Sequence, residues 1–381
     1  MKRFHTATVA FFVALIIAIG WGAAAIVSAE SPSRLSDKEF WTLASDFSET
    51  DGIFHSENLV SNESRFQTVI PALLRQATPG RAYIGVGSEQ NFSYIAAMKP
   101  SMVFILDIRR GNMDLHLIYK ALFETSANRV EFVSKMFSRK APTGLGPSAS
   151  AAEIFAAFEK AAPNQGLYDE QLKAIKAHLT SKHGFGLSSG DLDGINYVYR
   201  HWFEEGPDIQ YELTNGGGGN GLGGRGGRVG RGGRGVGVGG LPTFADLMTA
   251  DDGTGKNRSF LASEETFNVM KDLETRNLVI PVVGNFAGPK ALRSIAKYLK
   301  EKDTIVSVFY LSNVEQYLRE DGIWGTFCSS AALLPVDATS TFIRSTRAGF
   351  SGTLGQQNGG GTTFASALGL MKTDLANCLS Q

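Results

Sequence analysis

Cysteine is nearly absent from this 381-residue chain, which has only Cys328 and Cys378. Two cysteines exclude a disulfide-stapled framework and every cysteine-rich metal site. By sequence alone they are either one cross-link in an oxidising compartment or two small buried hydrophobes. A charge excess of either sign is also lacking, because 37 Lys+Arg balance 37 Asp+Glu. That removes the global electrostatic case for nucleic acid or an anionic membrane surface and leaves any such binding to a local patch. Histidine is sparse, and His55, His116, His178, His183 and His201 show no His-Glu-x-x-His spacing. Asp191 and Asp193 beside His183 read as solvated loop acids, so no metal is expected.

What is present begins with the leader. "MKRFH" is basic, Ala7 to Ala29 carries no charge, and Val27-Ser28-Ala29 has the small-x-small form of a signal-peptidase site. The run is also long enough to anchor the chain in a bilayer if it is not cleaved. Residues 1–29 are therefore expected to be a signal peptide or, through residues 7–29, a membrane anchor. Lys2 and Arg3 would keep the amino end cytoplasmic, placing Glu30 onward outside in either case. Membrane contact is expected through this segment only.

Beyond it, 43% hydrophobic residues supply a sizeable core. "YIGVG" (Tyr83 to Gly87) reads as a short buried strand, with Ser88 as N-cap of the helix that Pro100 ends. "MVFILDI" (Met102 to Ile108) is the unbroken apolar run of a strand covered on both faces, and Asn112 or Asp114 caps the next helix. Residues 129–214 are helical in pattern, a helical insertion or cap. Residues 215–240, "NGGGGNGLGGRGGRVGRGGRGVGVGG", bury too little apolar surface to offset their backbone entropy and read as a disordered loop. Strand–helix alternation resumes with "SFLAS" (Ser259 to Ser263), "NLVIPVVGNF" (Asn277 to Phe286), "TIVSVFYLSN" (Thr304 to Asn313) and "STFIRS" near Ser340. The pattern predicts an α/β protein with a doubly wound, mainly parallel sheet, its halves being 30–128 and 241–381.

In such a sheet, ligands bind beyond the carboxyl ends of the strands. Gly85, Gly87 and Ser88 form the first strand's turn, and Asp107 lies twenty positions after Gly87, where an acid can hold both hydroxyls of a ribose. Gln90 replaces the third glycine of a dinucleotide fingerprint, which disfavours a pyrophosphate. The alternative is a tight βα turn with Asp107 engaged by Arg109 or Arg110.

This order of elements, with Gly85, Gly87 and Asp107, resembles a class I S-adenosylmethionine-dependent methyltransferase of Rossmann type. The stretches "YIGVGSEQNFSYIAA", "DIRRGNMDLHLIYKALF", "VVGNFAGPKA" and "FYLSNVEQYL" resemble an uncharacterised bacterial family with that fold. The resemblance implies S-adenosylmethionine, or a related nucleoside, as the small-molecule partner. Gly85 and Gly87 would lie on its methionine side, Asp107 on the ribose, and Ser263 or Glu264 near the adenine. Asn285 would orient a methyl acceptor. Tyr83 stands where such enzymes carry an acid, and Glu89 where a third glycine often follows. These substitutions and the export signal carry the other reading, a non-catalytic envelope protein that binds a ligand or partner on the same scaffold.

Two further motifs point to local structure. Gly186-Leu187-Ser188-Ser189-Gly190 matches Gly-x-Ser-x-Gly but follows a helix, so Ser188 or Ser189 is expected to cap the next helix. Arg225, Arg228, Arg231 and Arg234 recur every third residue without an interleaved Tyr or Phe, which favours a solvated loop over RNA binding.

Overall fold

The computed structural model of the protein describes residues 31–54, 56–213, 241–347 and 364–380. The expected leader and the expected Gly/Arg-rich loop lie outside these residues, as does His55.

Ser36 and Glu39 close a capping box that opens α1 (Asp37–Asp46). A two-residue strand β1 (Ser56–Glu57) and α2 (Ile70–Gln76) lead to β2 (Ala82–Gly85), α3 (Gln90–Met98), β3 (Met102–Asp107) and α4 (Arg110–Thr125). Next come α5 (Arg129–Phe137), α6 (Ala151–Phe158), α7 (Gln165–Ala177) and α8 (Ser189–Glu205), then β4 (Glu212–Leu213), antiparallel to β1. The second half carries α9 (Phe244–Thr249), α10 (Glu264–Thr275), β5 (Val279–Val283), α11 (Ala291–Glu301), β6 (Val306–Ser312) and α12 (Val314–Glu320). It ends with α13 (Trp324–Ala331), β7 (Thr341–Arg347), β8 (Phe364–Leu370) and α14 (Met371–Leu379).

The main sheet has the order β5-β3-β2-β6-β7-β8, parallel except for β8, which runs antiparallel along β7. Counting only its six strands in chain order gives 3-2-1-4-5-6, the order of a nucleotide-binding Rossmann sheet. Every residue of β2, β3 and β5 is buried, which is why these strands read as continuous apolar runs. Successive crossovers in one direction put α3, α4 and α10 on one face. There Phe92, Tyr119, Phe123, Phe132 and Phe260 meet in edge-to-face and tilted pairs. On the other face Phe47 from the end of α1 and Tyr298 of α11 close on Phe104 of β3.

Three expectations are corrected. Ser259 to Ser263 is a turn, because Phe260 points into the ring cluster, its backbone N–H bonds Ser93 Oγ at 3.1 Å, and Ser263 caps α10. A five-residue apolar run cannot by periodicity be told from a buried turn. Ser88 does not cap α3, which starts at Gln90 with no side-chain cap. Nor do Asn112 and Asp114 cap α4, which begins at Arg110, where Asp51 Oδ1 accepts the backbone N–H at 2.6 Å. The two open readings of the cysteines close on one: Cys328 of α13 and Cys378 of α14 form a disulfide with Cα atoms 5.6 Å apart. Among the described residues no helix is long and apolar enough to cross a membrane.

Candidate functional site

Strand order reverses between β2 and β6, so the turns leaving these strands diverge and open a crevice at their carboxyl ends. The chain itself fills that crevice. Residues 61–63, on the approach to α2, lie across it with Glu63 only 2% exposed. Glu63 Oε1 accepts from Tyr310 Oη at 2.7 Å and Ser312 Oγ at 2.6 Å, both on β6, and Oε2 accepts from Gln90 Nε2 at 3.1 Å. Ser61 bonds Gln90 Oε1 through its hydroxyl and Glu89 Oε1 through its backbone N–H at 3.1 Å. Both sides of the switch point are thus tied to one buried carboxylate. Ser312 has φ +50, a left-handed conformation uncommon for a residue with a side chain.

The glycine turn is filled from inside in the same way. A Cβ on Gly85 would collide with Asn91 Oδ1 and lie 2.8 Å from Tyr83 Cε1. Asn91, on the first turn of α3, accepts from Tyr83 Oη at 2.8 Å and donates Nδ2 to the carbonyls of Val86 and Ser88, each at 2.8 Å. Burial pushes the Tyr83 phenol well above its ordinary range, so it stays a donor. Gly87 has φ +77 with open space where a Cβ would sit, a backbone that favours glycine. Its carbonyl faces His116 Nε2 at 2.8 Å. Burial lowers His116 to about 4, so the ring is neutral and Nε2 carries the donated proton.

Asp107 ends β3 as expected, but its carboxylate serves the chain. Oδ1 accepts the Arg109 N–H at 3.0 Å and lies 3.5 Å from Arg109 Nε. Arg110 instead pairs through two nitrogens with Asp191, at 2.7 and 3.1 Å. Beside Arg109 and Asn112 a cavity of about 40 Å³ remains, against the several hundred Å³ of a small-molecule site. S-adenosylmethionine would need an open glycine cradle and a ribose-binding acid. The Asn91 amide fills the first and Arg109 engages the second, so the residues present do not fit that cofactor.

Gly85, Gly87, Ser88 and Asp107 thus come together at the carboxyl ends of β2 and β3. Glu264 does not join them. It opens α10 and pairs with Arg129 at 2.9 Å, while its neighbour Glu265 pairs with Lys99 at the foot of α3. Asn285 follows β5, two strands from the switch point, and its Oδ1 accepts the Ala287 N–H at 2.9 Å, a turn contact. Ser188 caps α8 in a capping box with Asp191, as the Gly-x-Ser-x-Gly reading expected. Asp191 therefore belongs to Arg110 and this cap. His183 instead meets His178 and Glu124, a grouping the linear spacing hides.

Sequence reading missed Glu63, Gln90, Tyr310 and Ser312 as a set, because 247 positions separate Glu63 from its Tyr310 partner. It also passed over Glu89 as a titrating group. Burial raises this carboxyl to about 7, and Oε2 has no hydrogen-bond partner among the described residues. A glutamate in place of a turn glycine was the available signal.

By its strand order and the place of its crevice this is a mixed α/β protein compatible with a Rossmann-like fold. The chain belongs to the family described as Domain of unknown function (DUF7790), whose model matches residues 58–185 and 242–368, about two thirds of its length. The unmatched stretch between them holds α8 and the Gly/Arg-rich segment. No curated protein matches the chain.

Proposed function

We propose that this protein is a non-catalytic envelope protein that keeps a methyltransferase-like Rossmann scaffold for binding a partner or ligand and does not transfer methyl groups. The observation that carries this reading is the crevice at the strand reversal, filled by Glu63, Ser61 and Gln90 and tied to Tyr310 and Ser312 of β6. The Cys328–Cys378 disulfide agrees with an oxidising, extracytoplasmic compartment, where S-adenosylmethionine is not expected to be available. Calorimetry of the chain with S-adenosylmethionine and S-adenosylhomocysteine tests it. The expected result is no heat at millimolar ligand.

A second reading is nucleoside binding followed by methyl transfer, favoured by the 3-2-1-4-5-6 order and the open side of Gly87. It requires residues 61–63 to leave the crevice. Under it, Glu63→Ala removes the acceptor that pins this segment and strengthens binding, whereas Asp107→Ala abolishes it. Saturable heat with that pair of responses would displace the first reading. Methyl transfer would then rest on proximity and alignment of donor and acceptor.

A further inference from the structure

We propose that Glu124, His178 and His183 bind a divalent transition metal, Zn²⁺ by the chemistry of the donors, at the end of the molecule opposite the crevice. Glu124 sits in the last turn of α4, which descends from the carboxyl end of β3. His178 and His183 lie just beyond the end of α7, at the two ends of the turn that follows it. The three side chains are 4–9% exposed, and their ligand atoms converge. His178 Nε2 is 2.6 Å and His183 Nε2 2.7 Å from the same oxygen, Glu124 Oε2, and the two nitrogens are 3.3 Å apart. Zinc bonds of ~2.0–2.2 Å place tetrahedral ligands ~3.3–3.5 Å from one another. The nitrogens already stand at that separation, and a small rotation of the carboxylate opens the other two edges.

The backbone is built for this convergence. Five residues apart on a regular helix, two side chains point ~140° away from each other. Here His178–Lys182 forms a π turn, with the His183 N–H donating to the His178 carbonyl at 3.1 Å, and both rings come to one side. Such turns recur at functional sites.

The outer contacts match a metal ligand as well. His183 Nδ1 faces Asp37 Oδ1 at 2.7 Å, and the same oxygen accepts from Asn277 Nδ2 at 2.9 Å. This is the carboxylate–histidine arrangement that fixes the Nδ1–H tautomer and leaves Nε2 free to ligate. Without a metal, both Nε2 atoms face one carboxylate oxygen while Nδ1 of His183 faces Asp37. With one, any proton on either Nε2 is released to solvent as the metal–nitrogen bond forms. Lys120 Nζ holds the other carboxylate oxygen, Oε1, at 2.7 Å, and Phe185 stacks on His183. Lys182, 3.6 Å from Oε2 but 62% exposed, can withdraw to solvent and leave a fourth position for water. Two imidazoles and one carboxylate suit zinc and not magnesium or calcium. A bound ion would clamp the insertion to α4 and, through Asp37, to α1.

The test takes the full-length chain, strips it with a chelator and titrates it with Zn²⁺, then with Co²⁺ as a spectroscopic probe. The expected result is one ion per chain and the intense visible bands of low-coordinate Co²⁺–imidazole. His178→Ala and His183→Ala should each lose binding, Asp37→Asn should weaken it about 10- to 100-fold, and His201→Ala should leave it unchanged. If a ligand variant does not fold, acylation of the wild-type histidines decides instead: Zn²⁺ should protect His178 and His183 but not His201. A wild-type chain that takes up no zinc from micromolar solution overturns the proposal, as does binding that survives both alanine variants or leaves these two histidines unprotected.

Discussion

Gly85→Ala isolates the claim that the glycine turn is filled from within. Backbone strain is not the issue, since Gly85 does not have a positive φ. The added methyl meets Asn91 Oδ1, Asn91 Cγ at 3.0 Å and Tyr83 Cε1 at 2.8 Å. Those atoms are held by three hydrogen bonds and cannot yield without breaking them. Overpacking of this kind costs ~1–3 kcal/mol. Asn91→Ala leaves the Tyr83 hydroxyl and two carbonyls without their partner, at ~1–3 kcal/mol for each group that stays unsatisfied. The double variant should cost no more than Asn91→Ala alone, because the methyl then occupies the space the amide vacated. The expected coupling is on the order of 1–3 kcal/mol. Gly87→Ala is the contrast: its cost comes from φ +77, not from contact, ~1–2 kcal/mol whether or not Asn91 is present. Urea unfolding of the three single variants and of the two double variants that combine Asn91→Ala with Gly85→Ala or Gly87→Ala reads all these terms. If Gly85→Ala costs the same in both backgrounds, Asn91 does not fill the turn and the glycine cradle is open.

Two further outcomes are expected. Burial raises Glu89 to about 7 and Asp114 to about 8, so the folded chain keeps protons that the unfolded chain releases above its ordinary carboxyl range. The stability they contribute is present in full below the ordinary carboxyl range and is lost progressively as pH rises from there to about 7 to 8. Glu89 alone accounts for on the order of 3 kcal/mol. Unfolding midpoints measured from about pH 5 to about pH 8 should therefore fall, and Glu89→Gln should flatten the slope; an unchanged slope refutes the assignment. Reducing the Cys328–Cys378 bond, which spans 50 residues, should destabilise the fold by ~2–4 kcal/mol in the chain-entropy account. A thermal melt unchanged by reductant would count against a cross-link in the folded protein.

The α/β alternation, the buried strands β2, β3, β5 and β6 and the helices between Arg129 and Glu205 are local properties, so apolar periodicity, capping residues and glycine stops sufficed to predict them. The same logic placed Gly85, Gly87 and Asp107 at one end of the sheet, since βα turns and strand ends are fixed within a few residues of chain. Whether those residues face a ligand or each other was not local. It depended on Glu63 reaching Tyr310 across 247 positions, and on Asn91 filling the space that Gly85 leaves. Glu264 lies apart from that turn, at the start of α10 and paired with Arg129, because the run before it folded as a turn around Phe260. The two cysteines could be joined only once α13 and α14 were set side by side. His178 and His183 looked unrelated until a π turn and the end of α4 gathered them, since a carboxylate contributed by another helix leaves no trace in linear spacing. The sequence by itself determined most of the strands and helices, Ser259 to Ser263 excepted. Tertiary structure decided what the buried polar groups bind, because those hydrogen bonds join residues that only the assembled sheet brings together.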